Sequence, residues 1–215
     1  MIPAPEPRAP RWRRSPQTRP DAVLEAALDQ FAARGFAATR MEDVAAAAGL
    51  SKAALYLYFP SKDALFRALV ERRIRPLQAH LEAVAAADLD PIAGLRAITT
   101  AWSQAMDDPR LAAIPRIVLA EASRFPEIAA FYHGAVVARV SALIERLIAV
   151  AVAQGLFRPV STEAASRALI APLLIEIWRR EAFAGLETRK PLGVAAEDIL
   201  DLFLNGVAVA PGARP

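Results

Sequence analysis

Apolar residues recur at spacings of three and four along nearly all of this chain, the signature of helices that bury one face. After residue 60 the pattern runs from Ala64 through Leu65, Leu69, Ile74 and Leu77 to Leu81, breaks at 88–91, and resumes from Leu95 through Ile98 and Trp102 to Met106. Further helices are predicted over 111–124, 126–154 (closed by Gly155), 161–184 (closed by Gly185) and 195–207. No segment keeps the period-two alternation of a half-buried strand. The pattern predicts an all-α protein of about nine helices, with a compact N-terminal head and a larger helical bundle.

The head is the best punctuated part. A helix over 20–34 ends at Gly35. Thr39 can cap a second helix and Glu42, three residues on, can close a capping box, while Val44, Ala45 and Ala48 offer a small inward face. Gly49 stops that helix and Leu50 is placed to plug the corner. Ser51 is a good N-cap for a third helix over 52–59, on which Leu55 and Phe59 lie one turn apart and face inward; Pro60 ends it. Helix, glycine turn, helix is the grammar of a DNA-binding helix-turn-helix. Lys52 and Lys62 each follow a capping serine, Ser51 and Ser61, so each cation sits in a first helical turn and opposes the helix dipole. A docked phosphate would welcome the amide groups and the ammonium together.

The run GLSKAALYLYFPSKDAL resembles the DNA-binding signature of the TetR/AcrR family of bacterial transcription regulators, and the resemblance extends over roughly residues 20–70. It implies a helix-turn-helix domain over 20–66 and a helical ligand-binding and dimerisation domain over 67–210. It also implies a homodimer on double-stranded operator DNA, released by a small-molecule effector of apolar or amphipathic character. The segments 116–132 and 155–165 resemble the C-terminal domain of AcrR-like and AefR-like regulators. A TetR-like activator is an alternative with the same parts.

With Leu55 and Phe59 inward, Ala53 and Leu57 form the outward centre of the third helix, flanked by Ala54, Tyr56 and Tyr58. By position, Thr39, Arg40, Lys52, Tyr56, Tyr58 and Lys62 match family residues that mostly hold phosphates, and Ser51, Ala53, Ala54 and Leu57 complete the expected DNA-binding set. Ala53 and Ala54 depart from the glycine and hydroxyl residues common in the family. Ala and Leu make no bidentate base contacts, so readout is expected to lean on thymine methyl groups and DNA shape.

For the effector pocket, the candidates are Trp102 and Met106, one turn apart, with Phe125, Phe131, His133, Trp178 and Arg179 on neighbouring helices. Ordinary core packing produces the same pattern. The family pairs its last two long helices across the dimer, which implies Ala168, Ala171 and Ile175 on one and Ile199, Leu202 and Phe203 on the other. Burial within one subunit would look alike.

Charge sharpens this division. Residues 1–75 hold 13 Lys/Arg against 8 Asp/Glu, and residues 76–215 hold 13 against 15, so the basic excess belongs to the DNA-reading end. Residues 1–19 contain Arg8, Arg11, Arg13, Arg14 and Arg19 in a proline-rich setting that reads as a disordered basic arm, either entering the minor groove or idle in solvent.

The chain is 55% hydrophobic, yet its apolar runs are interrupted by charge well short of the roughly 18–20 residues a membrane span requires. The N-terminus lacks the apolar core of a signal peptide, so the expected location is cytoplasmic. With no cysteine and only two histidines, His80 and His133, with no spaced carboxylate or histidine partners, the sequence offers no metal centre, and it has neither a phosphate loop nor a nucleophile elbow. No cofactor and no enzymatic activity are expected. A helical membrane-surface protein would explain the N-terminal arginines but not the Ser-Lys, Tyr and Pro-Ser-Lys punctuation.

Overall fold

A computed structural model describes residues 18–87, 90–186 and 190–208; residues 1–17 of the expected basic arm lie outside the described residues, and its last two, Thr18 and Arg19, belong to the first helix. The helices are α1 (Thr18–Ala38), α2 (Met41–Ala47), α3 (Lys52–Tyr58), α4 (Lys62–Ala86), α5 (Pro91–Met106), α6 (Pro109–Glu121), α7 (Pro126–Tyr132), α8 (Ala138–Ala153), α9 (Thr162–Ala182) and α10 (Leu192–Val207). One π-helical turn, His133–Val137, joins α7 to α8. Counted as one rod, α7 to α8 is the predicted 126–154 helix, and the described residues then form nine rods. Their only bridge pairing is between Phe157 and Ala208. No helix among the described residues is long and apolar enough to cross a membrane.

Local chemistry places the helix ends. Gly35, at φ 78°, breaks α1 where the sequence stops its pattern, and Gly49, at φ 67°, makes the turn before α3; a side chain is strained at either angle. Ser51 and Ser61 cap α3 and α4, accepting from the Ala54 and Ala64 amides at 3.2 and 3.0 Å. Asp90 caps α5 through the Ile92 and Ala93 amides, which starts it at Pro91 rather than at the first periodic leucine. Likewise α10 begins three residues before the apolar pattern of 195–207 is regular, because Leu192 is buried.

The expected capping box at α2 does not form. The Thr39 hydroxyl instead donates back to the carbonyls of Gly35 (2.8 Å) and Gln30 (3.1 Å), tying the end of α1 to the α2 turn, and Arg40 occupies the N-cap with no side-chain bond. Glu42 turns outward to Lys52.

The head core gathers Phe31, Phe36, Val44, Leu55, Leu65 and Phe66 from α1 to α4, and Ile114, Ile117 and Ile128 from α6 and α7 enter the same cluster. Phe31, Phe36 and Phe66 pack ring against ring with centroids 5.3 to 6.0 Å apart, Phe66 edgewise on both of the others. The body core is separate, built by Leu81, Leu95, Ile98, Ile148, Leu169 and Leu200. Helix α4 runs unbroken from one core to the other, and α6 with α7 forms a second bridge.

Candidate nucleic-acid interface and ligand chamber

Leu55 is fully buried and Phe59 nearly so, which fixes the roll of α3 about its axis. Ala53, Tyr56, Leu57 and Tyr58 therefore face solvent, Ala54 sits at the margin, and Leu57 stands out at 87% exposed. The side-chain oxygen of Ser51 is already engaged in capping. Lys52 pairs with Glu42 across the turn at 2.6 Å, and its ammonium lies 5.9 Å from the Tyr56 ring centre. Hydrogen bonding between them holds Lys52 above the usual lysine range and Glu42 below the usual carboxylate range. Both remain at the surface, where a phosphate can compete for the lysine. Arg40 is exposed and carries no ion pair among the described residues.

Two residues of the expected DNA-binding set are committed elsewhere. Thr39 is 1% exposed, with its hydroxyl used inside the head, so its side chain is closed to a phosphate. Lys62 does not project from the α4 N-terminus. Its ammonium folds back to donate to the carbonyls of Phe36 (2.7 Å), Ala37 (3.1 Å) and Thr39 (3.0 Å), 4.6 Å from the Phe36 ring centre. A cation on unpaired carbonyls at the close of α1 is favourable in the way a C-terminal helix charge is. Burial pushes the Lys62 pKa down, with Glu121 working against that shift.

Glu121, which the sequence did not single out, is the partner of this arrangement. From the end of α6 its carboxylate accepts the Ala37 amide at 2.9 Å. Just beyond it, the Phe125 ring meets Phe36 edgewise at 5.0 Å. The α6–α7 turn is thus plugged into the α1–α2 turn of the head.

The same two helices wall a chamber of about 320 Å³ in the body. Ile74, Leu77, Gln78 and Leu81 of α4, Trp102 and Met106 of α5, and Pro115, Val118 and Leu119 of α6 form one side. Ala129 and Tyr132 of α7, His133, Val136 and Val137 of the π turn, Val140 of α8 and Ile170 and Leu174 of α9 close the other. π turns inside α-helices are frequent at functional sites; this one is held to α4 by the Gln78 side-chain amide, which donates to the Ala135 carbonyl.

Of the seven pocket candidates, Trp102, Met106 and His133 line this chamber and the other four do not. Phe125 belongs to the head junction. Phe131 stacks under the Arg67 guanidinium at 4.7 Å. Trp178 is 46% exposed and packs edgewise on Phe183, and Arg179 is an exposed partner of Glu176. Aromatic spacing pointed to rings, whereas the wall is mostly aliphatic; Tyr132 is the ring it missed.

On the outer face of α9 and α10, Ala168, Ala171, Ile175 and Leu202 are exposed and Ile199 is half-buried. Around Ala164, Ala168, Pro172 and Leu202 runs an apolar groove of about 590 Å³. Phe203 differs from the rest: it turns into the body core, edgewise on Phe157 at 6.3 Å, so most of its surface is used within the subunit.

A capped helix behind a glycine turn, with its outward face free, is the helix-turn-helix of DNA-binding proteins, here joined to a helical body with its own chamber. The chain belongs to the TetR family: residues 23–69 match the model of bacterial regulatory proteins of the tetR family, and residues 93–206 match that of the AefR-like transcriptional repressor C-terminal domain. Over 87 residues it is 39% identical to the HTH-type transcriptional regulator RutR of Escherichia coli K12, covering 39% of either chain, so it spans about two fifths of that relative's length. Its fold is similar to that of SmeT, the repressor of the Stenotrophomonas maltophilia multidrug efflux pump SmeDEF, with TM-score 0.70, 25% identity, and 91% and 95% of the two chains covered. It is similar also to PfmR from Thermus thermophilus, with TM-score 0.69, 26% identity, and 85% and 97% covered.

Proposed function

We propose that the protein is a homodimeric, sequence-specific DNA-binding repressor released by a small molecule held in the body chamber. The observation that carries this reading is α3: two buried anchors turn Ala53, Tyr56, Leu57 and Tyr58 to solvent on a capped helix that follows a glycine turn. The tyrosine hydroxyls, Lys52 and Arg40 are the groups for phosphates; Leu57 and Ala53 are the groups for base edges. An exposed leucine offers no hydrogen bond, and the apolar feature of the major groove is the C5-methyl of thymine.

The dimer, in this reading, forms on the α9–α10 groove, with Ala168, Ala171, Ile175, Ile199 and Leu202 at the interface. Release follows from the two bridges between chamber and head. Helix α4 gives four residues to the chamber wall and carries the head at its other end, while the α6–α7 turn joins two further wall helices to Ala37 and Phe36. A ligand that prefers a different placement of these helices shifts the spacing of the two heads; a tenfold effect needs about 1.4 kcal/mol of preference. Glu121→Gln keeps a weaker acceptor for the Ala37 amide and is expected to loosen the coupling. Operator affinity should respond less to ligand in that variant, with ligand affinity unchanged, as gel-shift titration would read.

Footprinting on DNA flanking the protein's own gene tests the reading, and the protected site allows a sharper trial. Rebuilding each half-site with deoxyuridine for thymine removes a methyl and leaves every hydrogen bond. Wild-type affinity is expected to fall about fourfold per contacted methyl, from roughly 0.8 kcal/mol for one buried methyl-sized group. Leu57→Ala should be indifferent to the change; equal sensitivity in both proteins would remove Leu57 from the readout.

A further inference from the structure

The chamber wall is more specific than an apolar cavity need be: none of its lining residues is Asp, Glu, Lys or Arg. Glu71, Arg75 and Arg139 line a neighbouring groove instead. Ile74, Gln78 and Val136 form the divide between the two, and the Gln78 amide, bonded to the Ala135 carbonyl, holds that divide shut. On the far side of Met106, Arg116 and Arg180 line a second recess; Arg116 is paired there with Glu181, and Arg180 donates to the Lys190 carbonyl. An ion inside the chamber would lose its hydration with no carboxylate, ammonium or guanidinium to replace it, a cost of several kcal/mol, and the wall's imidazole, His133, belongs to an exposed residue rather than an enclosed one.

Besides Gln78 and His133, the half-buried Tyr132 and Trp102 bring polar groups to the wall. Neither the Tyr132 hydroxyl nor the Trp102 indole N–H has a hydrogen-bond partner among the described residues. The indole can only donate, and the phenol can donate as well. Burial pushes the Tyr132 pKa well above the ordinary phenol value, so the proton stays on the oxygen.

We infer that the effector is an uncharged, largely hydrocarbon molecule that fits about 320 Å³ and carries one acceptor oxygen, a ketone, ester or lactone carbonyl, bound by the Tyr132 hydroxyl. The inference rests on the chamber being the effector site, and it narrows the amphipathic class suggested by the sequence to its neutral members. Tyr132 sets the orientation of the ligand and supplies specificity, because a site that leaves the phenol unpaired loses a hydrogen bond it could have made.

The test is isothermal titration of the full chain with 2-decanone, decanoate and decylammonium, flexible chains of similar length that adapt to the chamber's shape. The ketone is expected to bind about tenfold or more tighter than either ion. Tyr132→Phe should weaken the ketone by about three- to tenfold with an unchanged unfolding midpoint. Trp102→Phe tests the second donor in the same way. If decanoate or decylammonium binds as tightly as the ketone, the uncharged class is overturned while the chamber reading stands. Ketone affinity indifferent to Tyr132→Phe overturns the orienting role. If none of the three binds, the chamber is not the effector site, and the release mechanism proposed above falls with it.

Discussion

Lys62→Met is expected to cost the protein its DNA binding by loosening the head, with no change in the number of phosphates neutralised. The ammonium makes three hydrogen bonds, at 2.7 to 3.1 Å, to carbonyls at the end of α1. Removing it strands those acceptors at the junction that orients α2 and α3. Charged hydrogen bonds contribute about 1.5–3 kcal/mol each when shielded, and the group is only partly buried, so about 2–3 kcal/mol in total is the reasonable expectation. That is a large share of the stability of an ordinary domain. The midpoint of thermal unfolding should fall by several degrees, about 2–4 °C for each kcal/mol in a chain of this size. The slope of log affinity against log salt should stay as in the wild type.

Arg40→Ala and Lys52→Ala should do the reverse: an unchanged midpoint, and a salt slope reduced by about 1 for each phosphate that a subunit no longer neutralises. If Lys62→Met keeps its midpoint and lowers the slope, the lysine leaves its carbonyls in the complex and serves as a phosphate clamp after all.

Leu202→Asp is expected to give a folded monomer whose operator affinity is lower by about 10²-fold or more, because a dimer holds its second head at high effective concentration over the second half-site. Leu202 is the right position because it is 74% exposed on the groove and contributes little to its own subunit's core. A carboxylate there would be stripped of water in the interface, and the one cation lining the groove, Arg158, already donates to the Gly206 carbonyl. Phe203 is the wrong position: a charge next to Phe157 would enter the body core and unfold the subunit. Sedimentation of Leu202→Asp decides the matter, since a variant that remains dimeric places the interface elsewhere.

How much of this was readable in the sequence depends on how far each signal travels along the chain. Ser51, Gly49, Leu55 and Phe59 act within one or two turns, so their spacing alone gave α3, its cap, its roll and its outward face. The closing glycines of α8 and α9 were readable for the same reason. The contacts of Lys62 were not legible because its partners are 23 to 26 residues away: the local pattern showed a cation opposing its own helix dipole, while the fold gives it the end of another helix. Thr39 was read forward into α2 and bonds backward into α1.

The chamber was half legible. Trp102 and Met106 stand one turn apart on a helix that packs centrally, but whether Trp178 faces in or out depends on how α9 rolls against its neighbours. Trp178 lies on the outer stripe with Ile175 and Ala171. Tyr132 and Gln78 gained meaning only once the π turn and α4 were brought together.

If two copies of α3, held by a symmetric dimer, read DNA, selection of binders from a randomised duplex library by the full chain is the most direct test. The expected winner is a pseudo-palindrome whose half-sites repeat at about one helical turn, roughly 34–36 Å, bound by one dimer and no longer enriched by Leu57→Asp. Failure to enrich any sequence, or enrichment that survives Leu57→Asp unchanged, would contradict the account.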